Sequence, residues 1–406
     1  MLRGMGNRKR GGYGGGQDLL RVKLFRGGKA SAPARQDKGL GGAMLIGIDA
    51  SRAVSPSPTG TENYSRFLIK YLAKVSHSTL RLYFNSPPPE EFYAELLGFS
   101  SIEFKVMPFP RLWTHFRLSL EMALDSPDIL FVPAHVIPLI HPKATAVTVH
   151  DLGFKYYPKA HPFLQRLYLD LSTRYNAQVA SVIIADSEAT RRDLVSFYRI
   201  PLSKIRVVYP GLDPAVKPVR DKRRIEKVKA RYGIKGDYFL FVGTIQPRKN
   251  LKRLAEAFTL FRQETSAPVK LVLAGKPGWL YQEAVPSVRD DIILTGYVPR
   301  DDLLALLSGA KLFVFPSLYE GFGFPVLEAM ACGVPVMCSN TSSLPELAEG
   351  IALMVDPTDV EGMAQAMERV WREGVAEEVI ERGKERAASF SWEKCAQAVM
   401  QILEGL

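Results

Sequence analysis

Two carboxylates bracket the most informative stretch of this chain, Glu320-Gly321-Phe322-Gly323-Phe324-Pro325-Val326-Leu327-Glu328. It follows a short apolar strand, residues 312–315, passes through two glycines and runs into a helix-like segment, residues 326–331. Glycines at a strand-to-helix turn let backbone approach a ligand, and free N–H groups at a helix start favour anions. Glu320 is therefore expected on a loop beside a phosphate site, and Glu328 in the first turn of the helix. Amides for phosphate and carboxylates for hydroxyls suit a nucleotide-linked substrate. An acid complementing the helix dipole would account for Glu328 by itself. It does not account for the loop.

A second group of residues supplies positive charge. The strand 238–242 ends in Gly243, and Arg248 and Lys249 precede a helical segment over 251–262. A forked and a point-like cation at such an address can both meet a diphosphate, although a solvated basic turn would look the same in isolation. Gly275-Lys276-Pro277-Gly278 and Gly296-Tyr297-Val298-Pro299 each close a neighbouring strand, and both turns, Tyr297 and Val298 among them, read as nucleobase and ribose walls. Nearer the N-terminus, Ser57-Pro58-Thr59-Gly60-Thr61 makes a small-residue turn before the helix 61–75, with Gly60 facing the expected cleft. His150-Asp151 ends the strand 144–149, where an imidazole can bond a substrate hydroxyl or polarise a leaving group. A lone histidine is more often structural; the strand-end address favours function. No Asp-x-Asp follows a strand in a position to hold a divalent ion, so metal independence is expected, with Arg248 and Lys249 supplying the charge. The sequence has no G-x-S-x-G elbow, no Walker loop and no H-E-x-x-H.

These residues need elements to position them. From Met44, short β-branched runs at 44–49, 80–84, 102–106, 128–132, 144–149, 182–185 and 205–208 alternate with helical patterns at 61–75, 111–124, 162–180 and 187–198. The texture changes near 211–216, and a charged linker and helix occupy 217–231. Strands then resume at 238–243, 270–274, 292–295, 312–315 and 334–338. This alternation predicts an α/β chain of two tandem doubly wound, Rossmann-like parallel-sheet domains facing a cleft. The expected divisions are a disordered basic, Gly-rich tail (1–43), a first Rossmann-like domain (44–212), a second Rossmann-like domain (213–388) and a C-terminal helix (389–406). Ligands of open α/β sheets bind at the carboxyl ends of strands.

Charge first suggests nucleic acid, and its location withdraws the suggestion. Of the net +11, residues 1–43 carry +8, leaving +3 for the other 363. No nucleic-acid partner is expected of the globular part. The tail also holds twelve of the 32 glycines and no sustained apolar period, so disorder is expected, or an upstream start with Met44 as the true one. Three cysteines without ligand-like spacing suit a reducing cytoplasm, and no apolar run reaches the length of a membrane span.

Taken together, the motifs resemble the retaining GT-B glycosyltransferases of the GT4 type, glycosyl transferases group 1. The likeness covers roughly 44–406 and is most specific in Pro316–Val336, which matches the family's E-x7-E signature and its sequel. Val242–Asn250 resembles the donor diphosphate loop, and Val149–Leu152 with Thr59–Thr61 resembles first-domain elements lining the cleft. The resemblance implies that the first domain (44–212) is the acceptor domain and the second (213–388) the nucleotide-sugar domain, that Arg248 and Lys249 neutralise the diphosphate and that Glu328 holds ribose hydroxyls. It further implies that Glu320, with the amides of Gly323 and Phe324, orients the donor sugar, and that His150 contacts the sugar near the reacting carbon. Many members carry Arg after the glycine corresponding to Gly243; here it is Thr244. The Pro-Arg-Lys-Asn variant resembles the mannosyltransferase- and rhamnosyltransferase-like branch that builds bacterial surface polysaccharides. By resemblance the final helix crosses back to the first domain. No cofactor is implied beyond the substrate, a GDP- or UDP-linked hexose.

The acceptor implied is a saccharide or a lipid-linked sugar. Pro110–Arg117 and Lys155–Lys159 mix aromatic and basic residues in the first domain, which suits peripheral contact at the inner face of a membrane; a partly buried helix with snorkelling arginines would read the same way. Two other functions fit parts of the pattern: a GT-B nucleotide-sugar epimerase or hydrolase, and a nucleic-acid binder driven by the basic tail.

Overall fold

Among the described residues, thirteen strands form two all-parallel sheets. The first contains β1 (Leu45–Asp49), β2 (Thr79–Phe84), β3 (Ile102–Val106), β4 (Ile129–Val132), β5 (Ala144–Val149), β6 (Val182–Ala185) and β7 (Ile205–Val207), in the order β3-β2-β1-β4-β5-β6-β7. The second contains β8 (Tyr238–Val242), β9 (Lys270–Ala274), β10 (Ile292–Gly296), β11 (Leu312–Phe315), β12 (Val336–Ser339) and β13 (Leu353–Val355), in the order β10-β9-β8-β11-β12-β13. This computed structural model describes residues 44–55, 60–109, 111–134, 136–158, 162–278, 280–284 and 290–406. The expected tail at 1–43 and the turn residues Ser57–Thr59 lie outside the described residues.

The central strands read Ile-Leu-Phe-Val, Val-Ile-Ile-Ala and Leu-Phe-Val-Phe, and every residue of them is buried. Continuous apolar strands are what a parallel sheet covered by helices on both faces requires. The order of strand addition reverses once in each sheet, between β1 and β4 in the first and between β8 and β11 in the second. The loops leaving strands on either side of a reversal splay apart and open a crevice at the carboxyl edge.

The closing helix, Trp392–Glu404, starts where Ser391 Oγ accepts from the amides of Glu393 (3.2 Å) and Lys394 (3.5 Å). Its Trp392, Cys395, Val399 and Leu403 enter the first lobe's core rather than the second's. Trp392 stacks on Phe67 of the helix Gly60–Val75, with ring centroids 5.4 Å apart. At the crossover between lobes, the Leu212 amide donates to the Phe390 carbonyl at 2.9 Å.

The lobes also meet through polar contacts. Glu346, on the helix Leu344–Ala348, accepts from the amides of Glu188 (2.8 Å) and Ala189 (2.7 Å). Those amides open the helix Glu188–Tyr198, so an anion from one lobe satisfies donors that have no intrahelical partner in the other. Tyr319 OH accepts from the Leu152 amide (3.1 Å) and donates to Asp193 Oδ2 (2.7 Å), while its ring stacks on Tyr156.

Three local expectations change. Residues 111–124 are not one helix: a π-turn over Thr114–Leu118 leads into Ser119–Leu124. The strand expected at 334–338 is Val336–Ser339. The helix expected from Val326 begins at Phe324, with Pro325 inside its first turn, which puts Glu328 in the second turn instead of the first. Proline fits there because its missing N–H would have no intrahelical acceptor.

Candidate active site

The loops that leave β8 and β11 belong to adjacent strands at the reversal in the second sheet, and their charged residues meet. After β8, residues 247–249 make one 3-10 turn, and Asn250 adopts the left-handed region at φ 62°. Asn250 holds that turn down by donating its side-chain amide to the carbonyls of Pro316 (3.2 Å) and Pro357 (2.6 Å). Lys249 Nζ then lies 2.5 Å from Glu320 Oε1, and Arg248 bonds Glu320 Oε2 at 2.9 Å. Arg248 also donates to the Tyr319 carbonyl at 2.8 Å, and the Glu320 amide donates to Ser342 Oγ at 2.9 Å. Both oxygens of one carboxylate are thus matched to two cations, with the loop backbone tied on either side.

The electrostatics follow from burial. Loss of hydration alone would raise the Glu320 carboxyl, but Arg248 and Lys249 outweigh it and hold it down to about 2. Loss of hydration pulls the Lys249 ammonium down to about 8, and the like charge of Arg248 adds to this against the opposing pull of Glu320. Asp151 acts on both cations as a second, more distant anion, so two carboxylates face Arg248 and Lys249 and burial still leaves the lysine easy to deprotonate. An incoming diphosphate could accept from both Arg248 and Lys249.

The first lobe brings His150 to the same place. Gly321 lies so close to the His150 carbonyl that a Cβ there would overlap it, which only glycine permits. Gly323, at φ 120°, likewise has a Leu344 methyl where a side chain would go. His150 Nδ1 lies 2.6 Å from Asp186 Oδ2, and the ring stands edge-on to Tyr64 at 4.7 Å. Burial disfavours charge on this imidazole, yet the Asp186 carboxylate overrides that and raises it; on Asp186 itself burial wins and also raises the carboxyl. Among the described residues Asp186 Oδ1 is buried without a hydrogen-bond partner, while the His150 ring also faces the Pro133 backbone.

The remaining expected residues are arranged unequally. Glu328 does not join the Arg248–Lys249 turn; its Oε1 is held by Arg300 at 2.7 Å. Gly243 sits against the Lys249 side chain and Phe241. The Phe324 ring packs edge-on to Phe322 at 5.0 Å. Tyr297 is 72% exposed at the exit of β10, whereas Val298 is buried in the second lobe's core, so only its backbone is left to face a ligand. Gly60 begins its helix exposed, with open space around it.

Sequence reasoning missed Asp186, Arg300 and Ser342. It also missed Asp49, which ends β1 buried, with its carboxyl raised to about 6 by lost hydration and Oδ2 unpartnered among the described residues. The strand-end rule applied to His150 also fits Asp49 and Asp186, each at the carboxyl end of a first-lobe strand. Arg300 and Ser342 carry no comparable local signal. Among the described residues, no group of three His, Cys, Asp or Glu side chains could hold a metal ion. Nor is any described helix long and apolar enough to cross a membrane.

Two family models match the chain: "Glycosyltransferase Family 4" over residues 58–216 and "Glycosyl transferases group 1" over residues 236–373. The O-antigen chain mannosyltransferase B of Escherichia coli is 35% identical over 255 residues, covering 61% of this chain and 67% of the relative. The serotype-specific mannosyltransferase WbdA of the same organism is 32% identical over 231 residues, or 55% of this chain, but the match spans only 28% of WbdA. Among solved structures, Anabaena HepE in complex with UDP and glucose aligns with a TM-score of 0.67 at 16% identity, covering 89% of this chain and all of that one. WaaG, a glycosyltransferase involved in lipopolysaccharide biosynthesis, aligns at 0.64 and 16% over 89% of this chain and all of its own. At such identities the likeness is one of fold: two facing parallel-sheet lobes of GT-B type.

Proposed function

The chain belongs to the glycosyl transferases group 1, and we propose that this glycosyltransferase moves mannose, with retention, from a GDP- or UDP-linked donor to a saccharide or lipid-linked acceptor in surface-polysaccharide synthesis. The observation that carries the reading is the convergence of Glu320, Arg248 and Lys249 at the second lobe's strand reversal, on a loop whose Gly321 packs against the His150 backbone of the first lobe. Mannose is favoured by the Escherichia coli relatives, both mannosyltransferases by name. The UDP and glucose bound to HepE support a nucleotide sugar between the lobes.

In the reaction the acceptor oxygen bonds the sugar's anomeric carbon as the bond to the diphosphate oxygen breaks. The acceptor's proton passes to the departing diphosphate on the same face. Lys249 and Arg248 stabilise the charge that develops on the leaving group, in place of a divalent ion. Glu320 holds the sugar's hydroxyls, and His150, kept in orientation by Asp186, contacts the sugar. Little covalent chemistry falls to the protein; positioning and fixed charge do most of the work.

A peripheral contact with an anionic bilayer belongs to the same reading. The helix Phe163–Val179 buries only Thr173 and Asn176, and leaves Phe163, Leu164, Leu167 and Leu171 exposed. His115 Nε2 meets Tyr168 OH at 3.1 Å, joining this helix to the segment that exposes Leu112, Phe116 and Leu120. Arg166 lies over the Phe163 ring and Arg111 adjoins Leu112 in the chain. A second copy docked on the same face would bring like charges together, whereas anionic headgroups complement them.

The direct test is product analysis with GDP- and UDP-sugars and a mannosylated acceptor, in the presence of a chelator. Acceptor-dependent transfer with retained anomeric configuration is expected, and Glu320→Gln should abolish it while leaving the fold intact. Release of free sugar or an epimer without acceptor would favour the hydrolase or epimerase. Wild-type turnover by Glu320→Gln would remove the assigned role.

A further inference from the structure

Arg300 joins the expected donor carboxylate, Glu328, to the connection between lobes. It opens the helix Arg300–Gly309, just past the exit of β10. NH1 donates to Glu328 Oε1 at 2.7 Å and NH2 to Asp213 Oδ2 at 3.0 Å. Asp213 lies in the crossover, where its other oxygen accepts from the Ala215 amide at 2.9 Å and shapes the turn. The guanidinium is therefore anchored at one end by backbone that has its own reason to be rigid.

Glu328 is mostly buried, with a side chain 14% exposed. A carboxylate in that setting needs a fixed partner, and Arg300 engages only one of its two oxygens. Oε2 is left without a protein partner among the described residues, held in a set direction by the bond to Oε1. One anchored oxygen and one free oxygen is the arrangement a carboxylate needs to accept from a pair of adjacent hydroxyls. A planar fork can span two carboxylates in this way; a lysine ammonium at the same position would reach one of them.

We propose that Arg300 is a positioning residue for the nucleotide donor, aiming Glu328 at the ribose hydroxyls from a foothold on the interlobe crossover. This rests on reading Glu328 as the ribose carboxylate. Arg300 itself touches neither the sugar nor the diphosphate, so its effect should be confined to ligands that carry the hydroxyls.

The test compares a nucleoside diphosphate with its 2′,3′-dideoxy analogue, using whichever of GDP or UDP the wild-type protein binds more tightly. In the full chain, Arg300→Gln should weaken binding of the ribonucleotide about tenfold, the scale of one charge-assisted hydrogen bond. Binding of the dideoxy analogue should be unchanged. The donor KM should rise while kcat at saturation stays within about twofold. Arg300→Lys should fall between the two, and it serves as the readout if the glutamine variant does not fold. Equal weakening for both nucleotides, or none, overturns the proposal. Glu328→Gln separates the two layers. If it abolishes the preference for ribose and Arg300→Gln does not, the role of Arg300 alone is lost. If neither substitution alters that preference, the ribose reading of Glu328 falls with it.

Discussion

Lys249 offers the sharpest quantitative test of the donor site, because its proton and the nucleotide's charge must be linked. Its ammonium is held down to about 8 by burial and by Arg248. At pH 7 about nine molecules in ten carry the charge, and at pH 9 about one in ten. A diphosphate binds the charged form, so nucleotide binding raises the lysine's affinity for its proton. Affinity is therefore full below pH 8 and declines as the pH rises through it. If binding requires the ammonium, the Kd for GDP or UDP should rise about tenfold between pH 7 and 9, a loss of about 1.4 kcal/mol. Calorimetric titration in buffers of different ionisation enthalpy would read the same event as uptake of about half a proton per nucleotide at pH 8. Lys249→Arg keeps a charge across the whole range and should bind with a flat profile. A wild-type Kd that is constant over this range, with no proton uptake, would refute the link between Lys249 and the diphosphate.

Three further expectations concern the lobes and the acceptor side. Glu346→Ala removes the carboxylate that bridges two helix-opening amides across the lobes, each such bond contributing about 1.5–3 kcal/mol; small-angle scattering should show a larger radius of gyration, and an unchanged radius with unchanged KM would count against a latch. Trp392→Ala empties the stacked seat between Tyr64 and Phe67 and should cost about 3–5 kcal/mol in denaturant unfolding, whereas a loss below about 1 kcal/mol would mean that the closing helix contributes little. Leu164→Ser combined with Leu167→Ser should reduce co-sedimentation with phosphatidylglycerol vesicles at least tenfold, given about 1.5–3 kcal/mol for each leucine that enters an apolar phase. Equal partitioning of variant and wild type would argue against this face as the membrane contact.

What the residues alone determine is local. Apolar runs such as Leu312–Phe315 and Ile129–Val132 are buried strands because their composition suits no half-exposed surface, and their alternation with amphipathic helices implies two doubly wound sheets. Glu320, Arg248, Lys249 and His150 are legible for the same reason, since each lies where a strand gives way to a turn within its own stretch of chain. β13, three residues long, falls below what patterning can resolve, and the start of the helix at Phe324 is obscured by a proline that the first turn tolerates. Tertiary structure decided which of these turns meet. Strand order β10-β9-β8-β11 sets the turn after β8 beside the loop after β11, so that residues 71 positions apart share one carboxylate. It likewise drew Asp186 to His150 through the pairing of β5 with β6, and gave Glu328 to Arg300 instead of the Arg-Lys turn. Periodicity and turn chemistry act over a few residues. The order of strands in a sheet and the closure of one lobe on another depend on helices packing across both faces at once, and no short stretch of sequence carries that information.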